Sequence, residues 1–179
     1  MSQGNHNELR VLAVDPTTRG FGFAVLEGAN RLIDWGTRTA RESKMEACLK
    51  KLGQLIDEYQ PDVVVVENCT AKRSRRCERV RQLIDSLAAF ATERKIRVRR
   101  FSWQQVQSAC GKTSKHGVAT AVAERFPELV PILPPPRRPW ESEAHSMAVF
   151  DAVALGLVLF KCIADNARCG NQSELVAPR

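Results

Sequence analysis

Three carboxylates stand where an apolar chain has little reason to put them, and they constrain this sequence more than any other feature. Asp15 closes the run Arg10-Val11-Leu12-Ala13-Val14, Glu67 follows four consecutive valines (Val63 to Val66), and Asp151 is the only Asp, Glu, Lys or Arg from Ala144 to Phe160. A carboxylate withdrawn from water is strongly disfavoured unless a cation or several hydrogen bonds meet it. Singly, each has an ordinary reading: Asp15 before Pro16-Thr17-Thr18 as a turn residue, Glu67 as partner of a following arginine, Asp151 as a cap or hydrogen-bonding group. One shared site accounts for all three at once. A cluster of hard oxygen ligands, in a chain with no CxxC pair and no Cys or His at ligand spacing, suits Mg2+ or Mn2+ rather than zinc. Two such ions about 3.5–4 Å apart activate an attacking water and stabilise the leaving oxygen of a phosphodiester in one in-line step.

The patterning predicts the scaffold that gathers them. Arg10 to Val14, Phe21 to Leu26 and Arg31 to Gly36 read as three strands, separated by the turn compositions Pro16 to Gly20 and Gly28 to Asn30. Ser43 with Glu46 three residues on is a capping box for a helix carrying Met45, Cys48, Leu49, Leu52, Leu55, Ile56 and Tyr59 at helical spacing. Pro61 ends it, and Val63 to Glu67 is short and β-branched enough for a buried central strand. A second helix places Val80, Leu83, Ile84, Leu87, Ala88 and Ala91 on one face, and Ile96 to Phe101 is a fifth strand. Ser102 caps a helix through Cys110 and Ser114 another through Phe126, Pro127 to Pro139 is a stiff loop, and a last helix spans about Ser142 to Ala164. A β-meander followed by alternating helices and strands implies one mixed sheet with helices on both faces. Residues 1–8 are expected to be a flexible N-terminus, 9–164 one domain and 165–179 a flexible tail.

Charge separates the classes of partner. The chain carries +7 overall, yet Lys72 to Arg100 alone holds eleven Lys or Arg against three acids, so the remainder is close to neutral. A local basic excess is the electrostatic footprint of a polyanion site, although a solvated helix face produces the same count. Lys72, Arg73, Arg75 and Arg76 precede the second helix without apolar partners, which favours phosphate contact. Trp35 and Trp103 read as core or edge packing, and His116 as a surface residue. The six cysteines show no disulfide framework and read as reduced thiols. Met1 to Asn7 lacks the order of a signal peptide, and Met147 to Phe160 is too short an apolar stretch to span a bilayer, so a soluble, cytoplasmic protein without membrane contact is expected.

Four segments together resemble RuvC-type Holliday junction resolvases of the RNase H-like fold. Val11-Leu12-Ala13-Val14-Asp15-Pro16-Thr17-Thr18-Arg19-Gly20-Phe21-Gly22 is similar to the family's opening motif, and Asp62-Val63-Val64-Val65-Val66-Glu67-Asn68 to its second. Ser102 to Phe126 resembles the stretch before the final motif, and Phe150-Asp151-Ala152-Val153-Ala154-Leu155 resembles the closing catalytic helix. The resemblance covers about residues 9 to 160 in the family's order. It implies an α/β domain with a five-stranded mixed sheet and an Mg2+- or Mn2+-dependent endonuclease with two ions per site. It also implies Asp15, Glu67 and Asp151 as catalytic ligands, Lys112 and Lys115 near DNA, a four-way junction as substrate, and a homodimer, for which the second helix is long and apolar enough to be the interface.

Two departures from the pattern carry expectations of their own. Family members place an Asp or His one helical turn before the last aspartate, where this chain has Met147 and Ala148. Glu143, two turns before Asp151 and about 80° off its face if the segment is helical, is the candidate fourth ligand, with Glu141 or His145 next. Asn68-Cys69-Thr70-Ala71 lacks the aromatic residue that resolvases can stack on DNA, so their sequence preference does not transfer. A structured-RNA nuclease of the same fold and a non-catalytic nucleic-acid-binding module remain alternatives. An actin-like ATPase is disfavoured, because no second phosphate-binding DxG turn follows Glu67.

Overall fold

Apolar runs bounded by turn residues favour strands, and the computed structural model, which describes residues 8–40, 44–70 and 76–172 (44 and 169–172 by backbone alone), contains five. They are β1 (Arg10–Thr17), β2 (Gly20–Glu27), β3 (Arg31–Thr39), β4 (Val63–Glu67) and β5 (Arg97–Phe101). The helices are α1 (Lys44–Tyr59), α2 (Glu78–Glu93), α3 (Trp103–Cys110), α4 (Lys115–Arg125) and α5 (Met147–Gln172), with a 3-10 turn at Pro127–Ile132. The sheet order is β3-β2-β1-β4-β5. The β1–β2 and β2–β3 pairs are antiparallel, whereas β4 runs parallel to both β1 and β5. This is the mixed sheet expected from the element order.

Period-two alternation sorts the strand residues onto two faces, each with its own core. Leu12, Val14, Phe21, Phe23, Val25, Val64 and Val66 pack with α1 and α2. Val11, Ala13, Ala24, Leu26, Val63 and Val65 pack with α3, α4 and α5. The apolar residues expected on the second helix are all buried in the first of these cores. That face therefore serves the protomer itself and is not free for an interface.

Where α5 crosses the sheet, two glycines let it come close. A Cβ on Gly22 of β2 would lie 2.3 Å from the Ala148 carbonyl oxygen, and one on Gly156 would lie 2.4 Å from the Leu26 side chain. The first contact is with backbone, so Gly22 must be glycine while the helix keeps this seat, whereas a side chain at Gly156 would require Leu26 to move.

Several local expectations change. The last helix begins at Met147, five residues later than the pattern implied, and continues to Gln172, well into the stretch read as a tail. Its span Met147–Arg168 is long and apolar enough to cross a membrane by composition, but 67% of its most apolar window is buried inside the protein, as in a core helix. Pro127–Ile132, read as loop, forms a short 3-10 turn, where Pro127 at the start lacks only an N–H that has no partner there. His116 is half-buried with an unpartnered Nδ1 rather than a surface side chain. The Ser102 capping box with Gln105 and the Ser114 cap both form as expected. The Ser43 capping box lies outside the described residues, and Cys77, Cys110 and Cys162 are free thiols.

Candidate active site

The strand register explains why Asp15 and Glu67 meet. Ala13 pairs with Val65 and Val14 with Val66, so Asp15 and Glu67 are the next positions along two adjacent parallel strands. Alternation then decides the face: Val11, Ala13 and Asp15 share one parity, Val63, Val65 and Glu67 the other strand's equivalent, and both sets turn toward α5. On the opposite side of β1, Asp15 pairs with Gly22, the glycine on which Ala148 of α5 rests. One turn along α5 from that contact stands Asp151. Three elements thus bring the three carboxylates together, and all three are buried, at 2%, 7% and 2% exposure for Asp15, Glu67 and Asp151.

Two protein cations meet this negative charge. Arg76 donates from Nε to Glu67 at 2.6 Å, from one terminal nitrogen to Asp15 Oδ1, and from the other to the Pro16 carbonyl at 3.1 Å. Lys115 Nζ donates to Asp151 Oδ2 at 2.8 Å and to Glu143 Oε1 at 2.5 Å, and lies 5.5 Å from the centre of the Trp103 ring. Lys115 is the first residue of α4, the end where the helix dipole repels a cation, so its position is set by these tertiary partners. Asp151 Oδ1 is buried without a hydrogen-bond partner.

Burial dominates the protonation of the site. It pushes the Asp15 carboxyl up to about 7, against the Arg76 guanidinium that lowers it, with Asp151 and Glu67 raising it further. Asp151 is raised for the same first reason and is opposed by Lys115. Burial works against the charge on Arg76, but Asp15 and Glu67 outweigh it and hold the guanidinium above its ordinary range. The same balance, with Asp151 and Asp15 as the stabilising charges, raises Lys115.

The expected site residues fall into three groups. Asp15, Glu67 and Asp151 converge, and Glu143 joins them through Lys115, but not as a helical residue. Residues 141–146 lie outside any helix, so the 80° argument does not apply, and Glu143 arrives on an irregular segment leading into α5. Glu141 turns away to Arg138, and His145 is exposed. Arg76 and Lys115, expected on phosphates, are engaged by carboxylates, while Lys112 is exposed. Lys72, Arg73 and Arg75 lie outside the described residues. The clamp made by Arg76 escaped the sequence reading. Its one signal there was the pairing considered for Glu67 with a following arginine.

Whether the donors suit a divalent ion is decided by their chemistry. As arranged, no group of three or more His, Cys, Asp or Glu side chains among the described residues is gathered closely enough to hold one; Arg76 bridges Asp15 and Glu67, and Lys115 bridges Asp151 and Glu143. The donor set nevertheless fits: all oxygen, four carboxylates against two cations, and one buried oxygen of Asp151 without a partner.

No family model matches the chain. The crossover junction endodeoxyribonuclease RuvC of Akkermansia muciniphila is 30% identical over 158 residues, 83% of this chain and 89% of that protein. RuvC of Dehalococcoides mccartyi is 28% identical over 133 residues, 70% of this chain and 78% of that protein. Among solved structures, Thermus thermophilus RuvC in complex with a Holliday junction substrate superposes with a TM-score of 0.65 at 17% identity, over 88% of this chain and 96% of that one. With the sheet order, the three buried carboxylates and a relative of this identity over most of its length in agreement, the chain belongs to the RuvC family of crossover junction endodeoxyribonucleases.

Proposed function

We propose that this chain is a metal-dependent endonuclease that resolves four-way DNA junctions, with Asp15, Glu67 and Asp151 as metal ligands and Glu143 as the fourth. The observation that carries the reading is the convergence of three buried carboxylates from β1, β4 and α5, in a chain of this family. Mg2+ or Mn2+, two ions per site, would supply water activation and leaving-group stabilisation. The chain's own residues do the rest. Asp15 and Glu67 are held by backbone register. Asp151 is held by the seat of α5 on Gly22, and Glu143 brings further negative charge, which two divalent ions need to offset their mutual repulsion.

Arg76 and Lys115 hold the site together without metal and, once freed from the carboxylates, are placed to meet the phosphates of the bound strand. Lys72, Arg73, Arg75 and Lys112 add phosphate contacts that fix the register of the DNA. A homodimer would present two symmetric sites to a two-fold symmetric junction.

The test is cleavage of a four-way DNA junction and of a hairpin RNA, each with and without Mg2+. Mg2+-dependent cutting of the junction alone is expected. Preferential cutting of the hairpin RNA would transfer the assignment to a structured-RNA nuclease, and no cutting of either, with binding retained, to a non-catalytic module.

A further inference from the structure

Trp140 is the most exposed large apolar side chain among the described residues, at 77%, whereas Trp35 and Trp103 pack against the core. It stands on the segment between the 3-10 turn and α5, and a braced turn presents it. The Glu141 N–H donates to the Arg138 carbonyl at 3.1 Å, the Arg138 N–H donates to the Glu141 carboxylate at 3.0 Å, and Arg137 Nε donates to the Glu141 carbonyl at 2.6 Å. Pro134, Pro135, Pro136 and Pro139 restrict the backbone on either side, so little conformational entropy remains to be lost when the ring is covered. The Arg138 guanidinium lies 6.0 Å from the centre of the ring.

Three residues further on, Glu143 is tied through Lys115 to Asp151. Three residues span at most about 11 Å, roughly three base-pair rises of about 3.4 Å. The backbone at Trp140 is therefore held within that reach of Glu143, the residue that Lys115 links to Asp151.

We propose that Trp140 is a stacking platform for an unpaired nucleobase of the DNA strand entering the active site, with Arg137 and Arg138 beside it for the phosphates. A rigid indole flanked by cations matches a base and its backbone, and a base inside an intact duplex has no free face to offer it. Trp140 is thereby a selectivity residue, favouring branched or opened DNA over continuous duplex. The proposal rests on the nuclease reading and deepens it.

The experiment measures binding of the full chain, wild type and Trp140→Ala or Trp140→Phe, to a four-way junction and to linear duplex of equal length, in chelator so that no strand is cut. Stacking contributes about 1–3 kcal/mol per base, so Trp140→Ala is expected to weaken junction binding about tenfold while duplex binding changes less than twofold. Trp140→Phe should keep most of the junction affinity but lose the quenching of tryptophan emission on binding. Circular dichroism and sedimentation should match wild type. Equal losses on junction and duplex, no loss on either, or an altered sedimentation coefficient that makes Trp140 a contact between copies would each overturn the proposal. If the wild type neither prefers nor cuts junction DNA, the nuclease reading fails and takes this proposal with it. A wild type that does both beside an unaffected Trp140→Ala removes the stacking role alone.

Discussion

The two halves of the carboxylate site are built differently. Asp15 and Glu67 sit on adjacent parallel strands, where backbone hydrogen bonds set their separation, and Arg76, with 22% of its side chain exposed, bridges them. Asp151 and Glu143 come from α5 and from the irregular segment before it, and Lys115, 38% exposed, holds them, with Glu143 itself 42% exposed. The strand half is rigid by construction. The helix half depends on how α5 is seated and on a segment without backbone pairing to a sheet, so adjustment to a substrate is easier there.

The largest effect expected is on catalysis, from the strand half. Asp15→Asn should reduce junction cleavage to background while leaving junction binding intact or tighter, because it removes metal charge and no phosphate contact. Gel-shift and cleavage assays on the same preparation check this, and cutting near the wild-type rate would dissolve the metal assignment. On the helix half, Glu143→Gln should lose nearly as much as Asp151→Asn, whereas Glu141→Gln, which alters a residue turned toward Arg138, should stay within about twofold, roughly 0.4 kcal/mol. A harmless Glu143→Gln would remove the fourth ligand and make the two halves unequal in number as well as in rigidity.

Removing the two cations compares the halves in stability. Breaking a buried ion pair by deleting one partner costs about 3–5 kcal/mol, and Arg76→Gln in metal-free buffer should approach the lower part of that range. Lys115→Gln should cost distinctly less, since its head is better solvated and solvent screens the pair. Urea unfolding measures both, and saturating Mg2+ should narrow the gap between Arg76→Gln and wild type. Equal costs would show that burial does not separate the two halves.

A smaller effect is the dependence of stability on pH. The Asp15 carboxyl lies at about 7 in the folded protein against 3.8 for an unperturbed aspartate, so the folded state holds its proton more tightly. This stabilisation is fully present below pH 3.8 and is lost as pH rises through about 7. Without divalent metal, the melting temperature should fall between about pH 4 and 7 (roughly 2–4 °C for each kcal/mol lost), and Asp15→Asn should flatten the fall. A profile unchanged by Asp15→Asn would place the pH dependence on other groups.

The smallest effect expected concerns the basic run before α2. Alanine at Lys72, Arg73 and Arg75 together should flatten the log-log salt dependence of junction binding by up to about three units if all three meet phosphates. An unchanged slope would identify the run as an ordinary solvated surface.

The three buried carboxylates were legible in the sequence because one shared site accounts at once for the charges that close the apolar run of β1 and the valine run of β4 and for the one inside the apolar α5. The helices α1 and α2 were legible from periodicity, as were the caps at Ser102 and Ser114, because each of these signals is local. The faces of β1 and β4 were not: both strands are apolar on both sides, so alternation could not tell which face carries Asp15 and Glu67. Only the parallel register and the seat of α5 on Gly22 decided that. Arg76 and Lys115 looked like surface cations because their partners lie 61, 9, 28 and 36 residues away, and long-range pairing leaves no mark on local pattern. The position of Glu143 was misread for the same reason. Sequence by itself determined which groups must be neutralised, since burial of an unpaired carboxylate is prohibitive whatever the fold, and tertiary structure alone decided which cations do so.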